Sequence, residues 1–261
     1  MKIALIDSGI GLLPTAAAVR QLRPDAALVL SSDPDGMPWG PRTPGDVSAR
    51  ALACARAAAL HRPDALIIAC NTASVHALPA LRAELEPTLP VVGTVPAIKP
   101  AAAAGGPVAI WATPATTGSP YQRGLIKDYA DGVMTTEVPC PGLADAVQSA
   151  DEPAIDAAIA TAAALTPRDV RAVVLGCTHY ELVAERIRAA LRQQGASPTL
   201  HRSAGAVAAQ ALRRIGAQPA PAADPADELT VILSGRESAL PAAALAYAEG
   251  RALAAASPAR G

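Results

Sequence analysis

The chain of 261 residues contains no phenylalanine, and only 2% of it is aromatic. That argues against surfaces for stacking nucleobases, and it leaves Ala, Leu, Val and Ile to build the core. Charge is also sparse, with 17% of residues charged and a net charge of -1. Such a balance supplies no basic stripe, so no nucleic-acid partner is expected. No uninterrupted apolar run approaches the roughly 18 residues of a membrane span, so no membrane partner is expected either. The opening MKIALIDSGIG has one Lys and an apolar run that ends at Asp7. This is too short for the apolar region of a signal peptide and reads as a strand, giving a cytoplasmic location as the expectation. Cys54, Cys70, Cys140 and Cys177 lie 16, 70 and 37 residues apart. They form no C-x-x-C pair, which speaks against a zinc knuckle or a dithiol redox motif; no metal site is expected, and in a reducing compartment all four should be thiols.

What the chain does have is alternation. With 51% hydrophobic residues it can bury a sizeable core, and short apolar runs alternate with Ala-rich helical stretches, the pattern of an α/β fold with mainly parallel sheets flanked by helices. Strands are expected at Ile3 to Ile6, Ala27 to Leu30, Ala65 to Ala69 and Val91 to Val92, with helices at Leu13 to Leu22, Val47 to Leu60 and Ala73 to Leu85. A second series has strands near Val108 to Ala112, Gly132 to Thr136 and Ala172 to Leu175. Its helices lie near Gln122 to Tyr129, Ala154 to Leu165 and Val183 to Gln193. The prolines between Val95 and Pro100 mark a boundary. Two related domains are expected, one from 1–96 plus about 208–261 and the other from 97–207. The linker Gln218 to Asp227 leads to a strand at Leu229 to Leu233 and a last helix, and Ala256 to Gly261 should be frayed. Ligands of open α/β sheets collect outside the carboxyl ends of the strands. Two sheets facing each other by those ends would enclose one active site in an interdomain cleft.

Two segments carry the chemistry. Pro63 to Thr72 and Arg168 to His179 are each an apolar run that ends in a cysteine, Cys70 or Cys177, followed at once by small polar residues. A thiol between a strand and a helix N-terminus meets the positive end of the helix dipole, which favours its thiolate. From an ordinary pKa of about 8.5, modest help makes it a usable base near neutral pH. The N–H groups and side chains of Asn71, Thr72 and Thr178 can hold a carboxylate. A single cysteine after a strand is often only a small buried hydrophobe; the repetition argues for function. Cys54, inside an apolar helix, and Cys140, beside prolines, lack those surroundings. Asp7-Ser8-Gly9 forms a second polar cluster, with Gly9 and Gly11 permitting a tight turn where an anion or amine could dock. Leu12 and Pro14 follow, so this is no dinucleotide fingerprint. His179 is placed to serve as a proton partner, whereas His61, His76 and His201 read as surface residues.

Taken together, DSGIG (Asp7 to Gly11), DPDGMPWGP (Asp33 to Pro41), ACNTAS (Ala69 to Ser74), GTVPAIKP (Gly93 to Pro100), ATPATTGSPY (Ala112 to Tyr121) and LGCTHYEL (Leu175 to Leu182) resemble the glutamate racemases over most of the chain. These are cofactor-independent enzymes that supply D-glutamate for bacterial peptidoglycan. The resemblance implies two-base proton transfer at the α-carbon of L- or D-glutamate, with no cofactor. It makes Cys70 the thiol acting on D-glutamate and Cys177 the one acting on L-glutamate, assisted by Asp7 and His179. It gives Ser8, Asn71, Thr72 and Thr178 the positioning of the substrate, and Thr116 and Thr117 contact with it from the second domain. Pro38, Trp39 and Gly40 match the family's Pro-Tyr-Gly loop, with Trp in place of Tyr. Other departures are Leu12 for a glycine, Gln148 for a glutamate on the catalytic side, and Arg202 for the aspartate of a later Asp-Ser-Gly motif. Two alternatives stay open: a racemase of aspartate or another acidic amino acid, and a weakened family member acting as a ligand- or protein-binding module. A homodimer is left open as the assembly.

Overall fold

The computed structural model describes residues 1–226 and 228–255. Asp227 of the expected linker and the expected frayed end, Ala256 to Gly261, lie outside the described residues. The chain divides into two compact units, 1–94 with 204–261 and 95–203.

The first unit opens with β1 (Lys2–Asp7), α1 (Leu13–Leu22), β2 (Ala27–Ser32), α2 (Pro44–Ala59), β3 (Ala65–Ile68), α3 (Asn71–His76), α4 (Leu78–Leu85) and β4 (Val91–Gly93). The second unit consists of α5 (Ile98–Ala103), β5 (Val108–Ala112), α6 (Pro120–Tyr129), β6 (Thr135–Pro139), α7 (Leu143–Ser149), α8 (Glu152–Leu165), β7 (Ala172–Leu175), α9 (Thr178–Glu181), α10 (Ala184–Gln193) and β8 (Thr199–His201). The chain then returns to the first unit with α11 (Ala204–Arg214), β9 (Leu229–Leu233), β10 (Arg236–Ser238), α12 (Ala242–Leu245) and α13 (Ala248–Ala255).

The strand orders are β10-β9-β2-β1-β3-β4 and β6-β5-β7-β8. Written from the first strand of each unit, both contain the order second, first, third, fourth, and all these pairs are parallel. The first unit differs by its returning strands: β9 extends the sheet in parallel beside β2, and β10 folds back on it through a tight turn at Ser234 and Gly235, both at positive φ.

Burial on both faces explains why the central strands are continuous apolar runs. Ile3, Ala4, Leu5 and Ile6 are all fully buried. Ala4 and Ile6 join Leu66, Ile68 and Cys70 in a core under α2, whose Val47, Ala51, Cys54, Ala55 and Ala58 recur at helical spacing on one face. Ile3 and Leu5 point to the other face. On the helix side of the unit, α1 packs against α11 and α13. Ala16 and Val19 of α1 and Val207, Ala208 and Ala211 of α11 are all buried, small residues that let a core without phenylalanine close up. In the second unit Val108, Ile110, Ala172 and Val174 cluster with Ile98 and Ala101 of α5. Trp111 points to the opposite face, where its indole N–H donates to Thr166 Oγ1 at 2.9 Å.

Several elements differ from expectation. The helix expected over Ala73 to Leu85 is two helices, α3 and α4, because Pro79 in the first turn of α4 has no N–H with which to continue the hydrogen-bond ladder of α3. The strand expected at Gly132 to Thr136 is Thr135–Pro139; Gly132 is at φ 75°, in a turn ahead of the strand. Helix α5 starts inside the proline-marked boundary, with Pro100 in its first turn, where an N–H is dispensable. Strands β8 and β10 and helix α7 had no counterpart in the apolar pattern. His201, read as a surface residue, is half-buried on β8, and its Nε2 is enclosed.

Leu5, buried at the centre of the larger sheet, and Leu60, 82% exposed at the end of α2, give a direct contrast. Leu5→Ala should lower stability to urea by about 2–5 kcal/mol and Leu60→Ala by less than about 0.5 kcal/mol. Equal effects would contradict this packing.

Candidate active site

In each sheet the first strand is flanked by the second on one side and the third on the other, so the chain direction switches between first and third. Crevices for ligands open at the carboxyl ends beside such a switch point. In the first unit the strands at that point end in Asp7-Ser8 and in Cys70. Ile6 is in register with Ile68, and Ala69 N–H donates to Ile6 O at 2.8 Å, so Ser8 and Cys70 are each two residues beyond one register line. In the second unit the corresponding strand ends are the Thr113 loop after β5 and Cys177 after β7. Trp111 is in register with Leu175 there, and Gly176 N–H donates to Trp111 O at 2.7 Å.

Cys70 is buried and caps α3 with extended backbone at φ -144°. Asn71 behind it is buried and Thr72 half-buried. Cys177 caps α9 in the same way, at φ -135°, and is half-buried, with Thr178 and His179 buried behind it. Both helices are short. Each cysteine therefore stands at the start of only one or two turns, whose first-turn N–H groups carry most of a helix's N-terminal field. Gly176 is what lets β7 reach this position: a Cβ there would lie 2.7 Å from the Trp111 carbonyl oxygen.

Around Cys70, Asp7 is fully buried and its Oδ1 accepts from Ser8 N–H at 2.5 Å and Ser8 Oγ at 3.1 Å. The Ser8 carbonyl accepts from Asp33 N–H at 3.3 Å, which ties the strand end to the loop after β2. Asp33 organises that loop. Its Oδ2 accepts from Trp39 Nε1 at 3.1 Å and from Arg50 Nη1 at 3.0 Å. Gly36 makes room for this pair, since a Cβ would fall 1.9 Å from Asp33 Oδ2. Trp39 is buried in the same core as Cys70, with its one polar atom committed to Asp33, whereas Pro38 is exposed and Gly40 half-buried. Trp39 thus shapes the loop from beneath. Asp33 and Arg50 were not singled out in the sequence, although Asp33 opens the DPDGMPWGP motif.

Around Cys177, the His179 Nδ1 lies 3.9 Å from Cys177 Sγ, and its Nε2 lies 3.0 Å from Gln148 Oε1. An amide oxygen only accepts, so Nε2 carries the imidazole proton and Nδ1 presents its lone pair to the thiol. Burial pushes the His179 pKa down to about 4, leaving the ring neutral at pH 7. Gln148 comes from α7, the helix that the apolar pattern missed. Thr116 and Thr117 are half-buried in the loop after β5, where the Thr117 hydroxyl donates to Thr113 O at 3.0 Å and the Thr113 and Thr116 hydroxyls are 3.3 Å apart. Gly118, at φ 70°, donates its N–H to Glu137 Oε2 at 2.7 Å and closes that loop.

The two remaining cysteines have other surroundings. Burial, followed by the nearby Asp33 charge, pushes the Cys54 thiol up to about 12. Burial, followed by the neighbouring Cys177, does the same to Cys140, also to about 12. Both remain protonated at neutral pH and are unsuited to act as bases. Cys140 is nonetheless part of the second cluster, because the Tyr180 hydroxyl donates to its carbonyl at 3.3 Å. Among the described residues, no three His, Cys, Asp or Glu side chains gather into a group that could hold a metal ion. No described helix is long and apolar enough to cross a membrane.

The neutral His179 makes a prediction about stability. Unfolded, its imidazole takes up a proton near pH 6.5; folded, it does so only near pH 4. The unfolded state thus binds more protons between those values, so this group's stabilisation is complete above pH 6.5 and declines toward pH 4, by roughly 3 kcal/mol in all. Urea unfolding of the wild type and His179→Asn should show a stability difference that shrinks over this window. A constant difference would contradict the assigned protonation.

Comparison with known proteins places these features in a family. The profile described as Asp/Glu/Hydantoin racemase matches residues 13–227. A glutamate racemase of Roseiflexus sp. is 38% identical over 195 residues, covering 72% of this chain and 70% of the relative. One from Pseudomonas putida is 36% identical, covering 68% of this chain and 69% of the relative. Among solved structures, Escherichia coli glutamate racemase in complex with L-glutamate and the activator UDP-MurNAc-ala superposes with a TM-score of 0.77 at 27% identity, over 89% of this chain and 88% of that one. A glutamate racemase isoform from Bacillus anthracis gives 0.69 at 26% identity, over 88% and 86%. With a parallel α/β unit repeated twice and a thiol ending the third strand of each, the chain belongs to the Asp/Glu/Hydantoin racemase family.

Proposed function

We propose that this protein is a glutamate racemase that interconverts L- and D-glutamate without a cofactor, by proton transfer between the α-carbon and two thiols. The observation that carries this reading is the repeated placement of Cys70 and Cys177 at the switch points of two sheets of matching strand order. The named relatives, and the L-glutamate bound by the Escherichia coli enzyme, support glutamate as the substrate.

In the forward direction, the thiolate of Cys177 takes the α-proton of L-glutamate: the C–H bond breaks, an S–H bond forms, and the electron pair stays on the α-carbon. The Cys70 thiol then gives its proton to the opposite face, producing D-glutamate and a Cys70 thiolate. The reverse reaction exchanges the roles, and proton exchange with solvent resets the pair. General acid/base transfer supplies about 10²- to 10⁴-fold; the rest must come from oriented donors at the carbanion and its carboxylate. Asn71, Thr72 and Thr178 follow the thiols and are assigned to the substrate's α-carboxylate. Asp7 and Ser8 are assigned to its ammonium group, and Thr116, Thr117 and the Pro38 to Gly40 loop to the rest of the substrate. The neutral His179, held by Gln148, presents Nδ1 as an acceptor to the protonated Cys177 thiol, the form in which Cys177 returns a proton in the reverse direction. A cytoplasmic location and a supply of D-glutamate for peptidoglycan go with this assignment.

EDTA-treated protein given L-glutamate should form D-glutamate until the two are equal, as followed by chiral chromatography. Cys70→Ser and Cys177→Ser should each lose at least about 10²-fold in net racemisation, while Cys54→Ser stays within about twofold. Unchanged turnover in both Cys70→Ser and Cys177→Ser would refute the two-thiol mechanism.

A further inference from the structure

Two contacts that the proton transfer does not use occupy equivalent places in the two units. The chain passes from the first unit to the second between Thr94 and Val95 and returns between Ser203 and Ala204. At the outgoing passage Thr94 is fully buried; its N–H donates to Ser74 Oγ at 2.8 Å and its hydroxyl to Ile68 O at 2.7 Å. At the returning passage Ser203 is buried, and both its N–H and its hydroxyl donate to Glu181 Oε1, each at 2.8 Å. Ser74 and Glu181 hold the same position relative to the thiols. Each is the fourth residue after its cysteine, in the helix which that cysteine caps.

The chemistry of the second contact is specific. Glu181 is only 4% exposed, and a buried carboxylate is costly unless hydrogen bonds compensate for the lost water. Two of its bonds converge on one serine at the point where the chain leaves the unit. Ser74 makes the equivalent contact with a neutral hydroxyl, and its own N–H closes the first turn of α3 on Cys70 O at 2.9 Å. In the first unit one residue, Ser74, therefore links the passage to the turn behind Cys70; in the second, Tyr180 N–H closes that turn on Cys177 O at 3.1 Å and the adjacent Glu181 holds the passage.

We infer that Ser74 and Glu181 are positioning residues for racemisation, each tying one passage between the units to the turn that carries a thiol, so that thiol and passage move together. The inference rests on the racemase reading and adds residues to it. A displacement of about 1 Å at a reacting group can cost about 100-fold in rate, so loosening either tie should act on turnover more than on substrate binding.

The full-length chain tests this through kcat and KM for both enantiomers, together with residue-resolved amide hydrogen exchange. Glu181→Ala should lower kcat about 10- to 100-fold with KM within about threefold, and amides from 177 to 182 should exchange faster together with Ser203 while those from 66 to 94 stay as in the wild type. Ser74→Ala should show the mirror image, with amides from 70 to 76 loosening together with Thr94. Glu181→Gln keeps an acceptor oxygen and should restore kcat to within about threefold of the wild type. The proposal is overturned if Glu181→Ala keeps wild-type kcat, if Glu181→Gln is as impaired as Glu181→Ala, or if Ser203 loosens without residues 177 to 182. Should Glu181→Ala fail to fold, Ser74→Ala and Glu181→Gln decide by the same criteria. The exchange measurement needs no turnover. A wild-type chain unable to racemise glutamate would refute the racemase reading, and the exchange pattern would still decide the coupling.

Discussion

A parallel strand buried on both faces has no polar side chain of its own until it ends, so the chemistry of this protein is confined to the carboxyl ends of its strands. Both cysteine motifs obey that constraint. Ala65 to Ile68 and Ala172 to Leu175 are fully enclosed, and the chain turns into a helix directly after the thiol. First-turn N–H groups and a strand-end cysteine are thereby brought together without any long-range device. The neighbouring first strand, locked in register on both sides, brings Asp7 and Ser8 to the one thiol and the Thr113 loop to the other.

The same side chain behaves differently according to where this framework leaves it. Cys54 in α2 and Cys140 after β6 are held protonated by burial, and their thiols have no role in the proposed chemistry. Around Cys177 the imidazole is neutral and its tautomer is set by an amide rather than a carboxylate. Gln148 thus orients His179 without adding charge, so the second thiol has a neutral hydrogen-bond acceptor beside it. Around Cys70 the acidic side chain is that of Asp7, buried and bonded to Ser8, and the loop that carries Trp39 is held by Asp33 and Arg50.

How much of this was legible in the sequence follows from the same physics. The central strands β1, β2, β3, β5 and β7 were readable because burial on both faces leaves an unbroken apolar run. β6, β8 and β10 are edge strands and read Thr-Thr-Glu-Val-Pro, Thr-Leu-His and Arg-Glu-Ser, which carry no such signal. Helix α7 is seven residues bounded by Gly142 and Ala150, both left-handed, too short for a periodicity. The cysteine motifs could be found because a strand end and its following turn are contiguous in sequence. The link of Gln148 to His179 spans 31 residues and that of Glu181 to Ser203 spans 22, so neither is visible until the sheet brings them together.

The central claim is that two different thiols serve the two faces of one α-carbon. It is tested most directly by starting from L-glutamate in deuterated water and measuring α-deuterium separately in the product and in the recovered substrate during the first few per cent of conversion. The account predicts D-glutamate that is fully labelled, because its proton comes from a second, solvent-equilibrated thiol, together with L-glutamate that is essentially unlabelled. Product that retains the original α-proton would mean that a single base shuttles it between the faces, and would contradict the account.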